Sequence, residues 1–403
     1  MTLVLRNLLA IAVLLGVAWL LSSDRRRVPW RVILVGLGLQ VLIAWLMLRT
    51  PIGLEFMHSA RIVAEQLINC VDGGCEFVFG TDFREHFFAF KVLPAIIFVG
   101  ALTSVLYHFG ILQRVIFVIG WVMQRTMGTT GAESLCAAAN IFVGQTEAPL
   151  VVRPYVAHMT RSELMAVMVG GMATIAGGVM AAFISMGIDA GHLLTASVIS
   201  APAALMVAKL LHPETETPEA AGELKMAFEV ESVNAFDAAC LGAREGLMLA
   251  LNVGAMIIAF LGLIALVDLG LAQLSPIVGT TWSLSGLLGV AAQPLAWLLG
   301  VTPGDERVVG ELIGLKIVTN EFIAYEQLLE LRRAQAISEH SVRVTIYALC
   351  GFANIGSIGI QIGGLGLLVP NRRADLARMG LKAMIGGNIA SFLTACVAGL
   401  VGQ

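Results

Sequence analysis

The sequence predicts an all-α polytopic membrane protein, and three observations carry that prediction. Of 403 residues, 58% are hydrophobic and 13% charged, roughly half the charged share of an average soluble protein. Apolar runs long enough to cross a bilayer recur along the chain. Two further apolar segments are interrupted at their centres by acid, amide and glycine, which a straight lipid-facing helix does not tolerate. An ordinary soluble enzyme is therefore excluded, and the net charge of −3 leaves no nucleic-acid footprint. The 43 glycines, without a Gly-X-Y period, fit close helix packing and broken helices.

The first run, Leu3 to Leu21, is followed by Asp24 and the basic cluster Arg25, Arg26, Arg27 and Arg31, with no small-residue cleavage site before it. It is expected to be a retained span with its start outside, because basic residues gather on the cytoplasmic side. The chain returns outward through Val32 to Leu48. Between Glu55 and Glu85 six acids face two bases, as expected of a periplasmic connection. Cys70 and Cys75 lie in it, where either a disulfide or two free thiols are possible. The third span runs near Val92 to Phe109, and Ile111 to Met127 reads as an amphipathic interfacial helix. Further spans are Leu164 to Met186, Leu193 to Leu211, Gly246 to Leu271, Val342 to Val369 and Leu381 to Val401. Eight spans put both termini outside and the basic loop Arg372 to Arg378 inside, while Arg332 and Arg333 fall on the wrong side for the charge rule.

The interrupted segments are Ala137 to Tyr155 and Leu312 to Leu328. Irregular backbone at membrane depth is allowed only inside protein or beside a water-filled cavity, so both read as re-entrant hairpins. Each is followed by a span with a similar string: Ala173-Thr174-Ile175-Ala176-Gly177 after Glu147, and Ala353-Asn354-Ile355-Gly356-Ser357 after Glu321. The repeated order of acidic tip, broken span and further span predicts a duplicated, inverted unit, an architecture of secondary transporters.

Glu147 and Glu321 carry most of the chemical argument, because a carboxylate at bilayer depth costs several kcal/mol, roughly, unless paired, hydrated or protonated. Each could instead merely cap the helix that follows it. Gln145 offers amide donors and an acceptor beside the Thr146 hydroxyl and Glu147, a set able to pair with the edge of a planar heterocycle. Asn320, Glu321, Asn354 and Ser357 suit a polyhydroxylated ligand, with Phe352 placed to cover an apolar face or simply to pack. Asn140, Val143, Thr174 and Ile175 offer two side-chain oxygens and carbonyls freed by helix breaks, a cage for Na⁺. Alternatively Asn140 and Thr174 only satisfy freed backbone groups.

At these residues the sequence resembles the concentrative nucleoside transporter family, in particular its bacterial, sodium-coupled, eight-span members. The resemblance rests on Gly144-Gln145-Thr146-Glu147-Ala148-Pro149, Asn320-Glu321-Phe322 and Gly351-Phe352-Ala353-Asn354-Ile355-Gly356-Ser357, and runs over nearly the whole chain. It implies that Gln145, Thr146 and Glu147, with Val179, handle the nucleobase, and that Glu321, Asn354 and Ser357 handle the ribose beside Phe352. The small Gly144 next to the base-binding group suggests broad selectivity over uridine, cytidine and adenosine. Sodium would sit among Asn140, Val143, Thr174 and Ile175, the hydroxyl of Thr174 standing where family members can carry Ser. The family further implies a homotrimer in the bacterial inner membrane and an elevator motion. The corresponding division of the chain is 1–127 mainly scaffold, 128–211 first hairpin repeat, 212–300 acidic connection with a scaffold span and an interfacial segment, and 301–403 second hairpin repeat.

The expected function is thus sodium-coupled nucleoside import by alternating access, not enzymatic turnover. Three rivals differ in one feature each: proton coupling through Glu147 or Glu321, an elevator transporter for another small polar solute such as a carboxylate, and a membrane enzyme using the two carboxylates as acid and base. Acidic tips repel anions, and no soluble catalytic domain is visible, which weighs against the last two.

Overall fold

The computed structural model describes residues 3–218, 232–278 and 283–402, and among them every regular element is helical. In chain order the helices are α1 (Leu3–Leu20), α2 (Trp30–Arg49), α3 (Pro51–Phe79), α4 (Leu93–His108), α5 (Ile111–Met127), α6 (Gly131–Ala139), α7 (Arg153–Val156), α8 (Arg161–Ala173) and α9 (Gly177–Met186). They continue as α10 (Ala190–Leu211), α11 (Ala235–Val278), α12 (Leu284–Leu298), α13 (Glu306–Val318), α14 (Glu321–Arg333), α15 (Glu339–Leu349), α16 (Ile355–Leu368) and α17 (Arg373–Val401). Among the described residues, seven helical stretches are long and apolar enough to cross a membrane. The eighth expected span, Val342 to Val369, is present as α15 and α16, each too short alone because the chain breaks between them. The acidic connection from Glu214 to Asp237 lies largely outside the described residues.

The duplicated unit is visible in the element order. In the first copy α6 leads to a turn, a 3-10 arm (Ala148–Val152) and α7, and then to α8, a break, α9 and α10. In the second, α13 and α14 form the hairpin, followed by α15, a break, α16 and α17. The two helices that close the copies, α10 and α17, pack on each other and on α8, and most of their apolar stretch is buried. By contrast α11 buries 6% of its apolar window against 89% for α10, so its flank is left uncovered by the rest of the described chain. It packs closely on α4 through glycines: a Cβ on Gly100 would lie 2.7 Å from the Gly242 carbonyl, and one on Gly246 would lie 2.7 Å from Ile97 Cα. Residues 1–127 divide accordingly, since α1 and α2 pack chiefly on α17 and α10 whereas α4 packs on α11 and α9.

One expectation is corrected and one open alternative is decided. The Glu55 to Glu85 connection is mainly the 29-residue helix α3, whose Thr50 cap accepts from the Gly53 N–H at 3.1 Å. Its apolar positions recur with helical spacing, which acid counting overlooked. Cys70 and Cys75 are consequently free, one exposed and one buried. Five helical residues rotate the second thiol by about 140° from the first, so the pair cannot be bridged. Arg332 is held by Glu339 through two 2.9 Å hydrogen bonds, which offsets the charge that appeared misplaced in the sequence.

Candidate functional site at two crossing helix breaks

Both breaks are short extended segments. Thr174 ends α8 with φ −124° and ψ 169°, and Ala176 precedes α9 with ψ 148°. In the second copy Cys350 to Asn354 separates α15 from α16, and Asn354 caps α16 by accepting from the Ser357 N–H at 2.9 Å. The breaks cross: Phe352 N–H donates to the Thr174 carbonyl at 3.3 Å. Gly351 makes the approach possible, with φ +149° and space for a Cβ denied by Ser391 Oγ at 2.8 Å and the Met172 carbonyl at 2.9 Å. The matched strings are offset from this geometry by two residues, because Asn354 caps the second half-helix while Ala176, not Thr174, occupies that position in the first.

The first hairpin turns through Asn140 to Glu147 and is tied to the break by Gly177 N–H donating to the Phe142 carbonyl at 2.9 Å. Glu147 does not cap the arm beyond it; its carboxylate accepts from the Gly144 N–H behind it at 2.6 Å. Pro149 stands in the first turn of that arm, where a missing N–H costs nothing. Glu147 faces a cavity of about 280 Å³ bounded by Phe142, Val143 and Gly177 and, on the opposite wall, by Ser104, Tyr107 and Glu245. Gln145 is buried with its Oε1 unpartnered among the described residues. Gln145 and the buried Gln361 both lie against Gly171, where an added Cβ would stand 2.8 Å from Gln145 Cβ and 2.7 Å from Gln361 Nε2. Thr146 packs on Gly364 of α16. Val179 is buried in α9 and does not line the cavity.

At the second tip the cap is Asn320, whose Oδ1 accepts from the Ile323 N–H at 3.1 Å, leaving Glu321 available. Glu321 is 3% exposed and accepts from Asn354 Nδ2 at 3.2 Å. Ser357 is buried one turn along α16, and Phe352 is half-buried in the break itself. Glu321, Asn354 and Ser357 therefore converge, while the cavity reaches Glu147 and not Glu321.

The oxygen cage fits a hard cation on a direct observation. Asn140 is 1% exposed, its Nδ2 donates to the Cys136 carbonyl at 3.0 Å, and its Oδ1 has no partner among the described residues. A buried amide oxygen left unpaired costs about 1–3 kcal/mol, which a cation removes. The Thr174 hydroxyl donates to the Gly170 carbonyl at 2.9 Å and keeps its lone pairs. Val143 and Ile175 lie in non-helical backbone, so their carbonyls stand outside the helical ladders.

Sequence reasoning assigned no role to three buried groups around the breaks. Gln361 donates to the Met168 carbonyl at 2.9 Å, Asn388 donates to the Ala353 carbonyl at 2.9 Å, and Lys316 donates to the Ala348 carbonyl at 3.2 Å. Each is a polar residue inside an apolar helix, a signal present in the sequence without its partner.

Comparison with known proteins bears on the whole chain. Residues 9–82 match the Na⁺ dependent nucleoside transporter N-terminus, residues 89–190 match the nucleoside recognition (Gate) family, and residues 192–399 match the Na⁺ dependent nucleoside transporter C-terminus. Solute carrier family 28 member 3 of Eptatretus stoutii is 41% identical over 95% of this chain, which spans 58% of that relative's length. An uncharacterised transporter of Haemophilus influenzae is 44% identical over 98% of this chain and 97% of its own. Among solved structures, CNTnw in an inward-facing substrate-bound state superposes with a TM-score of 0.93 at 40% identity, covering 100% of this chain and 99% of that one. A variant of CNTnw in an outward-facing state gives a TM-score of 0.94 at 40% identity, over 99% and 97% of the two chains. The matched relatives are transporters and not enzymes.

Proposed function

This chain belongs to the Na⁺ dependent nucleoside transporter family, multi-pass membrane transporters with Na⁺ as coupling ion, and from that premise we propose that it imports nucleosides by sodium symport with alternating access. The observation that carries this reading is the crossing of the two breaks, with one acidic hairpin tip on either side. Gln145, Thr146 and Glu147, with Gly144 and Val179, take the base. Glu321, Asn354 and Ser357 take the ribose hydroxyls, with Phe352 against the sugar. Asn140, Val143, Thr174 and Ile175 hold sodium, and a bound Na⁺ supplies the positive charge that offsets Glu147. The similarity to both inward- and outward-facing forms of one transporter supports alternating access.

In an elevator scheme the hairpins re-enter the membrane as inverted repeats and move against α4 and α11. In this scheme α1 and α2, which pack on α10 and α17, travel with the moving body, a narrower scaffold than the one expected over residues 1–127. The outward flank of α11 suits the centre of a homotrimer. The basic loop Arg372 to Arg378 faces the cytoplasm of a bacterial cell, and both termini face the periplasm.

Uptake of radiolabelled uridine into proteoliposomes tests the reading. Accumulation is expected with an inward sodium gradient and not with choline, and Thr174→Val should raise the sodium required. No uridine uptake refutes the function. Uptake driven by a pH gradient without sodium, unchanged by Thr174→Val, refutes the coupling ion.

A further inference from the structure

We infer that Lys316 is a tethered cation occupying, in the second repeat, the place that a sodium ion takes in the first. The inference rests on the sodium site proposed above and extends it to the other repeat.

The two copies can be placed in register from their helix caps. Thr160 caps α8 and Ser338 caps α15. Ten residues beyond each cap stand Gly170 and Ala348, both in the final turn before the break, where helix carbonyls lose their intrahelical partners and the dipole is negative. In the first copy the Gly170 carbonyl accepts from Thr174 Oγ1 at 2.9 Å, and Asn140 from the hairpin lies against the same residue. No cationic side chain is among these groups, and Asn140 Oδ1 is unpartnered among the described residues. In the second copy the Ala348 carbonyl accepts from Lys316 Nζ at 3.2 Å, again from the first helix of a hairpin. The Lys316 ammonium also lies 5.9 Å from the centre of the Phe392 ring.

Lys316 is 0% exposed. An ammonium buried this deeply needs compensation. Two sources are present in the geometry: the carbonyl end of α15 and the face of the Phe392 ring. The second repeat thereby supplies the cation at its break from its own chain. At the equivalent break of the first repeat the cage residues Asn140, Val143, Thr174 and Ile175 include no cationic side chain, so a cation there must come from solution. One copy thus takes its cation from solution while the other holds one on its own chain, and sodium dependence is confined to the first repeat.

The test reads nucleoside-dependent thermal stabilisation of the purified protein in detergent as sodium is titrated against choline. Wild type should give a simple single-site sodium curve; absence of any sodium-dependent stabilisation by uridine would instead refute the function proposed above. In Lys316→Ala, uridine binding should weaken at least tenfold at low sodium and return on adding ethylammonium or high sodium, with a steeper sodium curve as a second ion enters. Lys316→Arg should retain the single-site curve. Lys316→Gln keeps a donor for Ala348 without the charge, and settles the matter if the Ala variant does not fold: weakened binding supports the tethered cation, and a wild-type isotherm overturns it. A folded Lys316→Ala whose binding loss no cation reverses also overturns it.

Discussion

The two repeats share an element order and differ in how their charges are met. Around the first tip Glu147 opens to a cavity and Asn140 Oδ1 lacks a partner among the described residues, so this half is incomplete without ions or ligand. Around the second tip Glu321 is closed in by Asn354, and Lys316 is already paired with the end of α15. The difference extends to the opposite ends of the hairpins. In the first repeat Lys209 meets Glu133 at 2.7 Å, and Thr130 Oγ1 joins the capping box of α6 to Glu163 of α8 at 2.6 Å, with Lys209, Glu133 and Glu163 all buried. In the second the corresponding caps are joined by Asp305 accepting from the Ser338 N–H at 3.1 Å and its hydroxyl at 2.7 Å, in a partly exposed loop. Duplication conserves the scaffold while the charge chemistry of each copy diverges, because backbone breaks need only hydrogen bonds whereas a coupling ion needs a site that is not internally neutralised.

Breaking the buried pair should have the largest effect. Lys209→Ala leaves Glu133 without its cation, and a cost of about 3–5 kcal/mol in stability is expected, visible as a lowered thermal midpoint in detergent. A stability equal to wild type would show that the pair does not hold the first repeat together. Next comes Glu321→Ala, which removes a carboxylate that the proposed ribose hydroxyls need; losing a charged hydrogen bond worth roughly 1.5–3 kcal/mol weakens binding on the order of 10- to 150-fold. Isothermal titration with uridine and with 2′,3′-dideoxyuridine separates the role, since the mutant should bind both equally poorly. Equal losses for a free-base probe would place Glu321 outside the ribose site.

Gly144→Ala is expected to act more modestly. The added Cβ would stand 2.9 Å from the Glu147 Oε2 that Gly144 N–H now holds, so the carboxylate must turn. A loss of roughly tenfold in nucleoside affinity follows from one displaced charged hydrogen bond, and unchanged affinity would show that Glu147 is not oriented by its turn. The smallest effect concerns Asp305. Partial burial alone would push its carboxyl up, but hydrogen bonds from Ser341 and Ser338 outweigh it and hold the group below the usual aspartate range. A carboxyl lowered by folding contributes stability above its unfolded value near 3.9, roughly, and loses that contribution as pH falls through the folded value. Asp305→Asn should therefore narrow the stability difference between neutral and strongly acidic pH and leave the profile from pH 5 to 8 unaltered, as followed by thermal midpoints.

Much of this was legible without coordinates. Long apolar runs specify spanning helices because lipid offers no partner for backbone groups, and Gly-Gln-Thr-Glu-Ala-Pro inside such a run can only be a break. The residues at both tips and both breaks could be named for the same reason. The α3 helix is not legible from an acid count, and between a disulfide and two free thiols at Cys70 and Cys75 the sequence leaves the choice open, because helical spacing decides where each thiol points.

The sequence by itself determined that two carboxylates, two breaks and an oxygen-rich string occupy corresponding places in two copies. It does so because local composition dictates which backbone segments can be helical in an apolar medium. Only the tertiary structure decided which groups meet: that Thr174 pairs with Phe352 across the breaks, that Asn320 and not Glu321 caps α14, and that Lys316 reaches the Ala348 carbonyl from 32 residues away. Those pairings depend on helix crossing and register, which no stretch of the chain encodes alone.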